Sequence, residues 1–354
     1  MEKWSCEKAN SWYKNKGHII GCNFIPSDSI NCLEIWQEYK FNEKLETIKR
    51  ELNIAQSIGI RSIRMVMPYH VWLLQHDGFM ERLDCFLKTA QSYGIRLMPI
   101  LFDDCCVPKS MCSDEIKFGK QPEPTLGYHG GFETTPFDAK DEAGYIIGDD
   151  KENWPMIEKY VKDLVGTFGQ DDRILVWDIW NEPGNSKRGS MSLELMTRAF
   201  EWAREMNPIQ PLTAGPWSFP DGVLNLGDGV AVQEIEQKAF ELSDIISFHF
   251  YGSLERMQKI VESLRQYNRP LFITEWLHRI FGNTVEKSLP YFIQENIACY
   301  HWGLVNGKTQ THEPWELLKS MKNLDLSKWQ HDLFYPDLTP YNTEEINIFI
   351  QYSK

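Results

Sequence analysis

The sequence predicts an α/β protein, a (β/α)8 barrel with long loops after its third and fifth strands. Two observations predict it. Eight short apolar runs read as strands and alternate with stretches of helical periodicity, the pattern of successive parallel βαβ units. The first strand ends Asn23-Phe24-Ile25-Pro26-Ser27, without the glycine-rich phosphate loop that an open, doubly wound sheet normally carries there. The 354 residues, 42% of them hydrophobic, suffice for one decorated barrel.

Residues 18–24 form the first expected strand. Phe41, Leu45, Ile48, Leu52, Ala55 and Ile58 then recur at three- and four-residue spacing, which is one face of a helix. Residues 61–67 follow as a strand stopped by Pro68. Leu83, Phe86, Leu87 and Ala90 mark the next helix, and 95–102 the third strand. The stretch from Asp103 to Glu152 is irregular and rich in Pro, Gly and charge. Connections of that length are usually functional. A helix over 154–168 and a strand over 174–180 come next. The helix marked by Leu193, Met196, Ala199, Phe200 and Ala203 precedes a short strand, Leu212 to Gly215, and a second long connection reaches Ala239. Strands over 244–250, 271–275 and 299–305 alternate with helices over 254–266 and 285–298. A last helix lies within 342–352. The expectation is a single catalytic domain over 1–354, with the barrel core at about 18–305 and the C-terminal helix packed on it.

Composition narrows the function. A net charge of −13 argues against nucleic acid and anionic membranes as partners. No run approaches the ~20 apolar residues that cross a bilayer. The start, Met-Glu-Lys-Trp-Ser-Cys, has no apolar h-region, so the expectation is a cytoplasmic chain, or a secreted or periplasmic one whose signal peptide has been removed. The 13 Trp, 14 Tyr and 19 Phe supply flat faces of the kind that pack on sugar rings. The eight Cys include no pair at zinc spacing, and Cys105, Cys106 and Cys112 near Asp103 and Asp104 match no familiar ligand set. No metal and no cofactor are expected.

Catalytic side chains of barrels sit at the C-terminal ends of strands. The fourth strand ends Trp180-Asn181-Glu182-Pro183 and the seventh Ile273-Thr274-Glu275-Trp276. Two rim carboxyls are what glycoside hydrolysis requires, one to protonate the leaving oxygen and one to attack the anomeric carbon or activate water. Asn181 is placed to bond a sugar 2-hydroxyl. His249 and Tyr251 are two apart and share a face. Tyr251 can hold Glu275, and His249 can bond either a substrate hydroxyl or a catalytic carboxyl. Arg64 lies in an apolar strand and needs a partner, because an unpaired buried charge is costly; facing inward, it keeps Glu275 ionised. Trp302 forms the floor of the reacting sugar's subsite, and Trp217, Phe219 and Trp276 add aromatic surface at the rim.

Arg64, Asn181, Glu182, His249, Tyr251, Glu275 and Trp302 together resemble the clan A glycoside hydrolases, most closely family 5, the cellulase and mannanase family. The resemblance implies a retaining mechanism with Glu182 as acid/base and Glu275 as nucleophile, acting on a β-linked carbohydrate. Where family 5 enzymes often carry a His after the third strand, this chain has Phe102-Asp103-Asp104, so Asp103 and Asp104 are expected to alter substrate recognition. The tall loops favour a closed pocket and release of end sugars. An endo-acting glucanase, mannanase or xylanase is the alternative, and an inactive glycan-binding barrel is the alternative of another class.

Overall fold

The computed structural model describes residues 2–112, 116–134, 143–218 and 233–353. Eight strands form one parallel sheet: β1 (Ile20–Asn23), β2 (Ser62–Val66), β3 (Arg96–Asp103), β4 (Trp177–Asn181), β5 (Leu212–Gly215), β6 (Ile246–His249), β7 (Leu271–Trp276) and β8 (Ala298–Trp302). Their order is β5-β4-β3-β2-β1-β8-β7-β6. The two ends meet. Asp244 N donates to Leu212 O at 2.8 Å and His249 N to Pro216 O at 2.9 Å, while the Thr213 and Ser247 hydroxyls lie 2.8 Å apart across the seam. The sheet is therefore a (β/α)8 barrel. Each strand is followed in sequence by an outer helix, from Phe41–Ser57 after β1 to Thr343–Tyr352 after β8.

The interior is filled in layers. At the floor, Tyr13, Met98, Val176, Phe272, Ala298 and Tyr300 form a cluster separate from the shell between barrel and helices. Gly21 is required there, since a Cβ would lie 2.4 Å from the Tyr300 ring. The helix Cys6–Lys16 plugs this end, with the rings of Trp12 and Tyr13 at 6.3 and 5.3 Å from Phe272. The sequence reading missed this helix, which buries only Ala9 and Tyr13 and so carries little apolar periodicity.

Two register irregularities decide what reaches the upper layer. β4 shifts between Asp178 and Trp180, and β7 between Ile273 and Trp276. A bulge changes the inside–outside parity of a strand. Asp178 and Asn181 consequently both face inward, as do Phe272 and Glu275, whose spacing would otherwise separate them.

Candidate active site

Arg64 is the hub of the upper layer. Its Nε donates to Asp178 Oδ2 at 2.8 Å, Nη1 to Asn23 Oδ1 at 2.7 Å and to Glu275 Oε1 at 3.2 Å, and Nη2 to Asn181 Oδ1 at 2.6 Å. These partners come from β1, β4 and β7, so one buried guanidinium fixes three strand ends. Asn181 is oriented from its other side, with Nδ2 donating to Asp103 Oδ1 at 2.7 Å.

Glu182 follows β4 in a left-handed conformation, φ 44°, an uncommon one for a non-glycine residue. Its N–H donates to Gly215 O at 3.1 Å. Its Oε1 lies 2.7 Å from His249 Nδ1, and Asn185 Nδ2 donates to Oε2. Burial drops the His249 pKa to about 3, so the ring is neutral; Nδ1–H donates to Glu182 when that carboxyl is ionised. Of the two partners open to His249, it takes the carboxyl. Glu275 accepts from the Tyr251 hydroxyl at 2.7 Å in addition to Arg64.

Burial pushes both carboxyls above the ordinary glutamate range. For Glu182, the Cys105 thiol and Asn185 act against that rise. For Glu275, His249, Arg64 and Tyr251 act against it, while the charge of Glu182 adds to it. Arg64 thus pulls Glu275 down, as the sequence reading expects, but burial, with the charge of Glu182, outweighs it and the net direction is upward.

The two carboxyls open into a cavity of about 290 Å³ that Asp103, Trp217, Trp302 and Trp315 help to line. Two segments build one wall. The connection after β3 and the chain after β8 are tied by Gly130 N to Thr309 O at 3.2 Å, Glu316 N to Gly127 O at 3.0 Å, and Trp315 Nε1 to His129 Nδ1 at 3.1 Å. Opposite, Glu236 accepts from Trp217 N at 3.2 Å, Ser218 N at 2.8 Å and Gln233 N at 3.0 Å, which fixes the start of the β5 connection.

Two expected site residues lie elsewhere. Trp276 is fully buried outside the barrel, its ring 5.1 Å from Phe292 and 6.2 Å from His301, because the β7 shift that turns Glu275 inward turns its neighbour outward. Asp104 is fully buried under the β4 connection. It pairs with Arg188 at 3.0 Å and accepts from Gly184 N at 3.0 Å, Tyr145 N at 3.1 Å and Ser192 Oγ at 3.1 Å. Asp103 does line the cavity, and burial raises its pKa to about 8. Phe219 lies outside the described residues.

Sequence reasoning missed Asn23, Asp178, Asn185, His129 and Trp315. Asp178 had a signal, as an acid flanked by apolar residues within a strand and thus a natural counter-charge for Arg64. Among the described residues, Glu182, His249 and Glu275 bring donor atoms within 4.8 Å of one another, near enough for a metal ion. Those atoms are already engaged by one another and by Asn185, Arg64 and Tyr251.

No curated protein matches the chain by sequence. Among solved structures, the fold is similar to a β-mannanase from the blue mussel Mytilus edulis (14% identity, 88% of this chain and 94% of that one, TM-score 0.56). It is similar too to an exo-β-1,4-mannosidase from Opitutaceae bacterium strain TAV5 (16% identity, 95% of this chain and 59% of that longer one, TM-score 0.58). A third is a hyperthermostable endo-1,4-β-D-mannanase from Thermotoga petrophila RKU-1 (14% identity, 95% and 99%, TM-score 0.55). The family model described as cellulase, glycosyl hydrolase family 5, matches residues 129–327, more than half of the chain, and spans both Glu182 and Glu275. The chain belongs to glycosyl hydrolase family 5 and is a β-glycoside hydrolase.

Proposed function

We propose that the protein is a retaining β-glycosidase that removes sugars from chain ends or from short oligosaccharides by double displacement. The observation that carries the reading is the spacing and unequal surroundings of the carboxyl pair. One oxygen of Glu182 and one of Glu275 lie within 4.8 Å of each other, a close approach that suits direct attack on the anomeric carbon. Glu275 has a cation and a hydroxyl to stabilise its charge, as a nucleophile needs. Glu182 has a neutral imidazole and an amide but no cation of its own in hydrogen-bond contact, which favours a protonated acid.

In the first step a Glu275 oxygen bonds to the anomeric carbon. The bond to the leaving oxygen breaks, and that oxygen takes the Glu182 proton. In the second step Glu182 removes a proton from water, the water oxygen attacks the same carbon, and Glu275 leaves. The end-on reading rests on the wall formed by the 127–134 and 309–317 segments, which closes one side of the cavity.

The test has two readouts. Proton NMR of the first-formed product from a panel of aryl β-glycosides should show the β-anomer before mutarotation. Sizing of products from β-linked polymers should show early mono- or disaccharide. The α-anomer first would contradict retention, and a ladder of mid-length products would contradict end-on action.

A further inference from the structure

Cys105 and Cys106 follow β3 directly, and the mechanism above uses neither as a reacting group. Successive residues of an extended chain point to opposite sides. Here they do not. Cys106 adopts φ 55°, and its backbone is pinned on both faces, its N–H donating to Ser186 Oγ at 2.9 Å and its carbonyl accepting from Thr134 Oγ1 at 2.7 Å. Cys105 N donates to Asp103 Oδ1 at 2.7 Å. The two thiols end 3.8 Å apart, the Cys105 S–H donating to Cys106 Sγ, and both line the catalytic cavity together with Glu182.

We propose that Cys105 and Cys106 form a built dithiol site that takes a single thiophilic atom, of the class of a monosubstituted trivalent arsenical, and that its occupation blocks the active site. The spacing fits. An atom bonded to both sulfurs at about 2.3 Å, the length of a zinc–thiolate bond, spans 3.8 Å at a near-tetrahedral angle. A metal ion would want further ligands, yet the one trio of candidate ligands within reach of one another among the described residues is Glu182, His249 and Glu275, without a cysteine. Trivalent arsenic with one organic substituent needs two sulfurs and nothing more. The reaction balances without an oxidant: two S–H bonds and the arsenic–oxygen bonds break, two As–S bonds form, one water leaves per R–As=O unit, and arsenic stays trivalent. Neutral thiols suffice for this condensation, and Cys105, held well above the ordinary thiol range by its bond to Cys106 and by burial, is neutral at neutral pH. The adduct would place its substituent in the sugar cavity that Glu182 and Glu275 also line.

The inhibitory part rests on the proposed glycosidase; the binding part does not, and it is read separately. The full chain is treated with stoichiometric phenylarsine oxide and examined by intact mass spectrometry. One arsenical per chain is expected, with two cysteines protected from iodoacetamide and release by a 1,2-dithiol but not by an equal amount of monothiol. Cys106→Ser and Cys106→Gly, the latter suited to the positive φ, should take up none. Hydrolysis should fall in proportion to the adduct formed. Absence of an adduct on the wild type, or its persistence in both variants, would overturn the site. An adduct that leaves full hydrolytic activity would overturn the inhibition. If the wild type cleaves no glycoside, the proposed function fails while the mass measurement still decides the site.

Discussion

Arg64 is bound more closely to Asp178 than to Glu275. Its Nε and Nη2 lie 2.8 and 2.7 Å from Asp178 Oδ2, whereas Nη1 lies 3.2 Å from Glu275 Oε1. Asp178 and the guanidinium are fully buried, and Asp178 keeps one oxygen without a partner among the described residues. Asp178 thus competes with Glu275 for the one cation that both touch.

Asp178→Asn should have two opposite effects. Breaking a buried ion pair should lower the unfolding free energy by about 3–5 kcal/mol, measured by denaturant titration. Removing the competitor should also direct more of the Arg64 charge to Glu275, favour its ionised form and move the acid limb of kcat/KM to lower pH. A limb that moves upward would contradict the competition.

The pH profile carries its own expectation. Burial raises Glu182 and Glu275 together, so the pair should titrate as a unit, with the acid limb of kcat/KM above the ordinary glutamate value of about 4.3. Tyr251→Phe removes a hydrogen bond that favours ionised Glu275, so it should push the acid limb higher still. A downward shift would show that the acid limb does not report Glu275.

Asp178 and Glu275 bond a single guanidinium, and Asp103 and Glu182 lie within reach of its charge. An acidic sugar would bring a further negative charge to a buried site whose one cation Asp178 and Glu275 already share, so aryl β-uronides should be turned over far more slowly than the matching uncharged hexosides. Asp103→Asn keeps an acceptor for Asn181 and Cys105 N. It should therefore leave Tm nearly unchanged. It should also cost about 1–3 kcal/mol in kcat/KM for a hexoside whose hydroxyl contacts Asp103. Equal rates on uronide and hexoside, or an unchanged kcat/KM in the variant, would contradict this role.

Trp315 bonds His129 across the wall and packs its ring 5.7 Å from Tyr251. Trp315→Ala should open that side, and product sizing should then show longer oligosaccharides from a polymer than the wild type releases. An unchanged product distribution would mean that the wall does not set the chain length.

The barrel was legible because parallel strands covered on both faces read as continuous apolar runs, and because helices such as Trp154–Phe168 carry a regular apolar face. The carboxyl pair was legible because each Glu directly follows such a run. The errors share a physical cause. Trp276 reads as a rim residue because it follows Glu275 at the strand end, yet neighbours on a strand face opposite sides, and with Glu275 inward Trp276 packs outward. Asp103 and Asp104 looked equivalent, yet one faces the cavity and the other anchors Arg188. His129 and Trp315 were invisible as a pair because 186 residues separate them and only the tertiary fold brings them together.

The central claim is that Glu275 becomes bonded to the sugar. A 2-deoxy-2-fluoro β-glycoside with a good leaving group slows both steps but slows release more, so the intermediate accumulates. Peptide mapping of the trapped protein should place the sugar on Glu275, with one label per chain. Glu182→Gln should still take the label, because that leaving group needs no proton, and Glu275→Gln should not. A label on Glu182 or Asp103, or turnover without any covalent species and with the α-anomer as first product, would contradict the account.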